Sequence, residues 1–87
     1  MSYKVILSPR AQKQLRKLDK GISSLIIKYL YKNIDGIENP RSKGKGLTAN
    51  RSGQWRYRVG DYRVICDIID NELVVLAVTI GYRRDNY

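Results

Sequence analysis

Three arginines in the middle of the chain have the spacing of a charged face on a β-hairpin. Residues 55–59 (WRYRV) alternate apolar and basic side chains, which is the period of a strand with one buried face. A two-residue turn at 60–61 (Gly-Asp) then places Arg58 directly opposite Arg63, with Arg56 on the same face. The predicted pairs are Val59 with Tyr62, Arg58 with Arg63, and Arg56 with Ile65.

Such a face favours the binding of an anion. Like charges directly opposite each other destabilise a sheet, and the local sequence supplies no carboxylate to this face, because Asp61 belongs to the turn. Guanidinium groups held by rigid strands suit bidentate contacts with phosphate. The alternative is that the three arginines are ordinary strand residues whose side chains extend into solvent.

The C-terminal residues 81–87 (GYRRDNY) add two more arginines and two tyrosines. They directly follow an apolar segment that is predicted to be a buried strand, so they are expected near an edge of the sheet. On its own, the composition of this tail is equally compatible with a frayed chain end.

The basic residues of the whole chain are clustered. The formal net charge of the 87 residues is +9. Residues 1–32 hold eight cations and one anion, and residues 41–63 hold seven cations and one anion. This distribution predicts a basic surface for a polyanion, since clustered Lys and Arg neutralise phosphates. A solvated face that only confers solubility is the alternative.

The composition excludes several classes of function. Eighty-seven residues suffice for a single domain, expected over 1–87, and a two-domain enzyme with its own cofactor fold is excluded. The absence of histidine excludes an imidazole base and a histidine-ligated metal site. No cofactor and no metal are expected.

The compartment is indicated by the single cysteine and the lack of long apolar segments. Cys66 cannot form an internal disulfide, which favours a reducing compartment, and it is expected to be a buried small apolar residue. The chain shows neither an apolar run of about 18 residues nor a signal peptide. A cytoplasmic location without a membrane partner is therefore expected.

Two helices are predicted after a short strand at 3–7. Ser8 has the position of an N-cap, and Pro9 is suited to the first position of a helix. A basic amphipathic helix follows, and a second, core-facing helix begins after Gly21. Its inward positions are expected to be Ile22, Leu25, Ile26, Tyr29, Leu30 and Asn33. The short joint between the helices predicts an antiparallel hairpin.

A basic loop at 41–53, rich in Gly, Ser and Lys, separates the helices from three strands. These strands are predicted to begin near Gln54, Tyr62 and Glu72, with the third following a turn at 70–71. The expected order is β-α-α-β-β-β. This is an α+β domain in which a helix hairpin packs on a mostly antiparallel four-stranded sheet.

The patterns at 55–65 (WRYRVGDYRVI) and 81–87 (GYRRDNY) together resemble the RelE branch of the RelE/ParE toxin superfamily. The N-terminal segment is also similar, with 8–11 (SPRA) ahead of a helix that carries Leu15 and Leu18. The resemblance therefore spans nearly the whole chain.

The resemblance implies a RelE-like fold and the toxin of a type II toxin–antitoxin system. It implies a metal-independent mRNA interferase, a hydrolase that acts as an endoribonuclease in the ribosomal A site and inhibits translation. In that chemistry the RNA 2′-OH attacks the adjacent phosphate, giving a 2′,3′-cyclic phosphate and a free 5′-OH. The implied partners are the ribosome with its rRNA, mRNA, and a RelB-like antitoxin through which the complex binds operator DNA.

The resemblance assigns catalytic roles to five residues by position. Arg56 and Arg58 match the paired basic residues of the first central strand, and Arg63 matches the phosphate-clamping arginine of the next strand. Arg83 matches a tail arginine that supports the leaving group, and Tyr87 a tail tyrosine that acts as the base or positions it.

Two departures from the family pattern bear on proton transfer. Some family members have lysine where Arg56 and Arg58 stand, and arginine does not exchange its proton as lysine can. Many relatives have histidine where this chain has Tyr82. Tyr87 is therefore the best titratable candidate, with neighbouring guanidinium groups favouring its phenolate form.

Other basic residues are candidates for contacts with RNA. Those on the first helix match the family's rRNA-binding helix, and those in the glycine-containing loop suit phosphate tracking because glycine permits close approach. The candidates are Lys13, Arg16, Lys17 and Lys20 on the helix, Lys43, Lys45 and Arg51 in the loop, and Arg84 in the tail. Plain solvated surfaces are the alternative for each group.

Two other functions remain open from the sequence. One is a ParE-like inhibitor that binds DNA gyrase without nuclease activity, and the other is an inactive, RNA-binding toxin relic. The combination of Arg56, Arg58, Arg63, Arg83 and Tyr87 favours the nuclease, because a gyrase binder has no need of a phosphate clamp with a tail tyrosine.

Overall fold

A computed structural model describes residues 1–46 and 54–82 of the chain. The strands are β1 (Lys4–Leu7), β2 (Lys45–Gly46), β3 (Gln54–Val59), β4 (Tyr62–Ile69) and β5 (Val74–Tyr82), and the helices are α1 (Pro9–Lys17) and α2 (Lys20–Tyr29). A π-helical turn, Leu30–Ile34, extends α2, and 3₁₀ turns span Pro40–Ser42 and Asp70–Glu72. Neither α1 nor α2 is long and apolar enough to cross a membrane.

The strands form one sheet in the order β1-β5-β4-β3-β2. β1 runs parallel to β5, and the other neighbouring strands are antiparallel. The predicted α+β fold is confirmed, but the described residues form five strands rather than four, because β2 lies in the segment predicted as a loop. Two residues are too few to show an alternating pattern, so this strand has no periodic signal in the sequence.

The start of α1 is the one predicted from Ser8 and Pro9. The Oγ of Ser8 accepts a hydrogen bond from the backbone N–H of Ala11 at 3.0 Å, and Pro9 lies in the first turn. The same hydroxyl donates to the carbonyl oxygen of Val78 on β5 at 2.9 Å. An N-cap of this kind stabilises a helix by about 1 kcal/mol. Here it also fixes the start of α1 against the sheet.

The inward face of α2 and its extension differs from the prediction at two positions. The fully buried side chains are those of Ile26, Leu30 and Ile34. Leu25 is 54% exposed, so this predicted inward position was wrong, and the buried Ile34 was not among the predicted positions. Asn33 is half-buried, as are Ile22 and Tyr29. The backbone N–H of Asp35 donates to the carbonyl oxygen of Leu30 at 2.8 Å, which closes a π-type turn with one extra residue. That residue rotates Ile34, rather than Asn33, into the core.

The core lies between the helices and one face of the sheet. Its buried members are Val5, Ala11, Leu15, Ile26, Leu30, Ile34, Tyr57, Val59, Val64, Cys66, Val75, Ala77 and Ile80. Cys66 is fully buried, and this burial raises the pKa of its thiol to about 12. The thiol therefore stays protonated, and the prediction of a buried small apolar residue is confirmed.

An exposed polar cluster ties the beginning of the chain to two turns. The guanidinium of Arg41 donates to both carboxylate oxygens of Asp70, each at 3.0 Å, and the hydroxyl of Tyr3 donates to Oδ1 at 2.6 Å. The hydrogen bonds from Arg41, and then from Tyr3, lower the pKa of Asp70 to about 2. The cluster therefore stabilises the charged form of Asp70.

Replacing Asp70 by asparagine is expected to remove an acid-sensitive part of the stability. An Asp carboxyl in an unfolded chain has a pKa of about 3.9, above that of folded Asp70. Its stabilising contribution is thus present above about pH 4 and is lost as the pH falls toward 2. Urea unfolding between about pH 5 and 2 is expected to show a steeper loss of stability in the unsubstituted chain than in Asp70→Asn. If both proteins lose stability equally steeply as the pH falls, Asp70 is not the acid-sensitive group.

Candidate phosphate-binding and catalytic site

The β3–β4 hairpin brings three of the predicted site arginines to one face of the sheet. The observed pairs are Val59 with Tyr62, Arg58 with Arg63, and Arg56 with Ile65, which confirms the predicted register. Tyr57 and Val59 are buried on the side of the helices. On the opposite side, Arg56 and Arg63 are half-buried and Arg58 is exposed. The central strands therefore place all three arginines on the face of the hairpin opposite the buried Tyr57 and Val59.

β2 adds a fourth cation to this face. Lys45 pairs directly with Arg56, so two opposed cation pairs, Lys45–Arg56 and Arg58–Arg63, lie side by side. We call these four residues the cationic face. Lys45, Arg56 and Arg58, together with Gly44, line a cleft of about 340 Å³. Directly opposed like charges destabilise a sheet, so an anion bound here would stabilise the arrangement.

Two aromatic residues of β3 fix the backbone that leads to Lys45. The indole N–H of Trp55 donates to the carbonyl oxygen of Lys43 at 2.6 Å. The hydroxyl of Tyr57 donates to the carbonyl oxygen of Pro40 at 2.7 Å inside the core. These bonds connect the segment before β2 to the strand that carries two of the site arginines. Their partners are separated by 12 and 17 residues, so no local sequence pattern predicts them.

Gly44 allows this segment to approach β3 closely. Its φ is +77°, and a Cβ atom there would lie 2.3 Å from the backbone oxygen of Arg56. Both the left-handed conformation and the contact with the backbone therefore require glycine. The position of Lys45 beside Arg56 thus depends on the residue that precedes it.

Replacing Tyr57 by phenylalanine is expected to lower the free energy of unfolding by about 1–3 kcal/mol, because a buried carbonyl loses its donor. Burial raises the pKa of the Tyr57 phenol, so the hydroxyl is protonated and can donate at neutral pH. The measurement is urea unfolding of the two proteins at neutral pH. Tyr31→Phe is the matched control, because Tyr31 is 46% exposed. Equal losses of unfolding free energy in Tyr57→Phe and Tyr31→Phe would show that the hydrogen bond from Tyr57 to Pro40 does not stabilise the fold.

A second groove adjoins the cationic face at Arg58. It has a volume of about 460 Å³, and its lining includes Lys28, Tyr29 and Lys32 as well as Arg58. Sequence reasoning missed both lysines. Their spacing of four residues, which places them on one side of a helix, is the signal that would have identified them. The basic surface therefore continues from the hairpin onto α2 and its extension.

The basic residues of α1 lie away from the cationic face. α1 packs into the core through Ala11 and Leu15, on the other side of the sheet. The predicted RNA-binding residues Lys13, Arg16 and Lys17 are all exposed there, whereas Lys20, which was predicted on the first helix, is exposed at the start of α2. Lys17 lines a separate depression of about 510 Å³ with Tyr62 and Tyr82, whose rings meet edge to face at 5.1 Å. These residues form a second basic surface rather than part of the first.

The cations of the cationic face suit charge stabilisation. Guanidinium groups keep their protons and offer donors in a fixed fork. Lys43, also predicted to bind RNA, is exposed and directly precedes Gly44, which lines the cleft. Within the described ranges, no three His, Cys, Asp or Glu side chains are gathered where they could hold a metal ion. The remaining predicted site residues, Arg51, Arg83, Arg84 and Tyr87, lie outside the described residues.

Comparison with known protein families matches nearly the whole chain. The family model described as "ParE toxin of type II toxin-antitoxin system, parDE" matches residues 5–87. A RelE-like toxin protein of Escherichia coli is 30% identical over 84 residues, which cover 97% of this chain and 86% of that protein.

Solved structures of RelE toxins share the fold. The toxin–antitoxin complex RelBE2 of Mycobacterium tuberculosis contains a chain that superposes with a TM-score of 0.85 at 24% identity, covering 95% of this chain and 93% of that one. The archaeal RelE–RelB complex of Pyrococcus horikoshii gives a TM-score of 0.69 at 26% identity, with coverages of 95% and 97%. The chain therefore belongs to the RelE branch of the RelE/ParE superfamily of type II toxin–antitoxin toxins.

Proposed function

We propose that this toxin is a ribosome-dependent endoribonuclease that cuts mRNA in the A site and thereby inhibits translation. The observation that carries the proposal is the cationic face, in which Arg58 opposes Arg63 and Lys45 opposes Arg56. Repulsion within these pairs is relieved when a phosphate lies between the side chains. A toxin that acts by binding a protein target does not need to bind a phosphate.

Cleavage by the neighbouring 2′-OH makes three demands on the site. A base must remove the 2′-OH proton, donors must stabilise the charge of a phosphorane-like transition state, and the leaving 5′ oxygen must gain a proton. Arg56, Arg58 and Arg63 meet the second demand, because their donors are held by paired strands. The resemblance to RelE supplies Tyr87 as the base or its positioning residue, and Arg83 as support for the leaving group.

RNA on either side of the scissile phosphate is proposed to follow the basic surface. Arg58 lines both the cleft of the cationic face and the groove that contains Lys28 and Lys32, so these two sites are adjacent. A strand with one phosphate at Arg58 can therefore place a neighbouring phosphate along α2. The additional candidate contacts to mRNA or rRNA are Lys13, Arg16, Lys17, Lys20, Lys43, Lys45, Arg51 and Arg84.

The proposed partners follow from the family. Structures similar to this chain include RelE toxins in complexes with RelB antitoxins. A RelB-like antitoxin with an acidic, amphipathic segment is accordingly proposed to bind this toxin in the cytoplasm, and the complex is proposed to bind operator DNA through the antitoxin. A net charge of +9 favours such an acidic partner.

A purified translation reaction tests the proposal directly. Primer extension on the mRNA is expected to show new 5′ ends within the A-site codon when the toxin is present. These cuts are expected to disappear when ribosomes are omitted. Intact mRNA in the complete reaction would contradict the proposal.

The second candidate is inhibition of DNA gyrase, which the name of the matching family model favours. The same toxin preparation can be added to a gyrase supercoiling reaction. Blocked supercoiling together with intact mRNA would identify a ParE-like activity. A preparation that binds RNA but is inert in both reactions would be an inactive relic.

A further inference from the structure

The cleft beside β3 contains one lysine, Lys45, next to two arginines, and a lysine side chain can transfer a proton far more readily than an arginine. Among the described residues that line it, Arg56 and Arg58 carry guanidinium groups, which suit charge stabilisation far better than proton transfer. Lys45 carries an ammonium group, which can give up a proton and regain it from water. The chemistry of this cleft therefore includes one group capable of proton transfer.

Lys45 is held in a defined place relative to the arginines. It is directly opposite Arg56 in the β2–β3 ladder. The preceding backbone is fixed by the hydrogen bond from Trp55 to Lys43 and by the close approach of Gly44 to β3. A phosphate bound in this cleft would meet Lys45 on the β2 side and the arginines on the β3 side.

We propose that Lys45 is the general acid of RNA cleavage, an inference that rests on the proposed nuclease function. The 2′ oxygen forms a bond to phosphorus as its proton passes to the general base, for which the resemblance names Tyr87. The bond from phosphorus to the 5′ oxygen breaks, and its electron pair stays on that oxygen. Lys45 gives the oxygen a proton, so the products are a 2′,3′-cyclic phosphate and a 5′-OH. Water then reprotonates the neutral amine.

The test compares two leaving groups on programmed ribosomes. One mRNA is unmodified, and the other has sulfur in place of the bridging 5′ oxygen at the scissile phosphate, because a thiolate leaves without needing a proton. Lys45→Arg and Lys45→Ala are both expected to cut the unmodified mRNA about 10²–10⁴-fold more slowly, the range typical for loss of a general acid. Both are expected to cut the sulfur-containing mRNA at close to the rate of the unsubstituted toxin.

The control is the same pair of substitutions at Lys4, an exposed lysine on β1 at the opposite edge of the sheet. Lys4→Arg and Lys4→Ala are expected to leave cleavage of both mRNAs unchanged. Thermal unfolding of each variant shows whether the fold is retained.

Three outcomes would overturn the assignment. Normal cleavage of unmodified mRNA by Lys45→Arg would mean that the position needs only a positive charge. Equal losses on the oxygen and sulfur substrates would place Lys45 in substrate binding. If the unsubstituted toxin cuts neither mRNA, the proposed nuclease function fails, and the role of Lys45 fails with it.

Discussion

Replacement of Arg63 by alanine is expected to slow mRNA cleavage on the ribosome by about 10²–10³-fold, the usual effect of removing one preorganised donor from a site of developing negative charge. β4, which carries Arg63, is the central strand of the sheet and is paired on both sides. Arg63 is also half-buried, whereas Arg58 is exposed. Less water competes for a half-buried guanidinium, so its hydrogen bonds to phosphate have a larger effect.

Arg10→Ala is the matched control for this prediction. Arg10 is an exposed arginine in the first turn of α1, which packs on the other side of the sheet from the cationic face. Both variants lose one positive charge, so a general weakening of ribosome binding would affect them equally. Retained antitoxin binding by Arg63→Ala would show that the surface and the fold are intact.

Arg63→Lys separates charge from geometry at the same position. Lysine keeps the positive charge but loses the planar fork that makes two parallel hydrogen bonds to phosphate. Cleavage by Arg63→Lys is therefore expected to lie between the rates of Arg63→Ala and the unsubstituted toxin. Near-full activity of Arg63→Ala would remove this residue from the site.

The register of the β3–β4 hairpin could be predicted because short-range rules determine it. A two-residue turn at 60–61 leaves only one way to pair the flanking strands, and the alternation at 55–59 decides which side chains share a face. The opposition of Arg58 and Arg63 follows from these two facts alone. The helix cap at Ser8 was predictable for the same reason, since its partner is only three residues away.

The surroundings of Lys45 could not be predicted because they depend on contacts between distant residues. β2 is too short to have a period, and the requirement for glycine at position 44 arises only when β3 lies against it. Lys45 was a candidate for RNA contact, but its pairing with Arg56 had no sequence signal. The π-turn after α2 could not be predicted either. A pattern read at 3.6 residues per turn treats the helix as regular, so it misplaces the inward side chains that follow the extra residue.

The cationic face indicates a conflict between stability and function. Each directly opposed pair of like charges destabilises the sheet, by an amount in the range of about 0.2–1 kcal/mol typical of cross-strand pairs. A residue whose role was structural would stabilise the fold, and its removal would be harmful. Residues kept for a ligand can instead destabilise the free protein, so their removal is expected to improve stability while it impairs activity.

Arg58→Thr is expected to show both effects in one protein. Threonine favours strands, and its introduction opposite Arg63 removes the repulsion between the two guanidinium groups. The free energy of unfolding in urea is expected to rise by about 0.2–1 kcal/mol. The rate of mRNA cleavage is expected to fall by at least about tenfold, because one donor to the phosphate is lost.

Salt and a charge-preserving variant identify the cause of the stabilisation. The gain in stability of Arg58→Thr is expected to shrink as the salt concentration rises, because mobile ions screen exposed charges. Arg58→Lys keeps the like-charge pair and is expected to show no such gain. A loss of stability in Arg58→Thr at low salt would mean that Arg58 supports the fold, and it would remove the physical reason for assigning this face to a phosphate ligand.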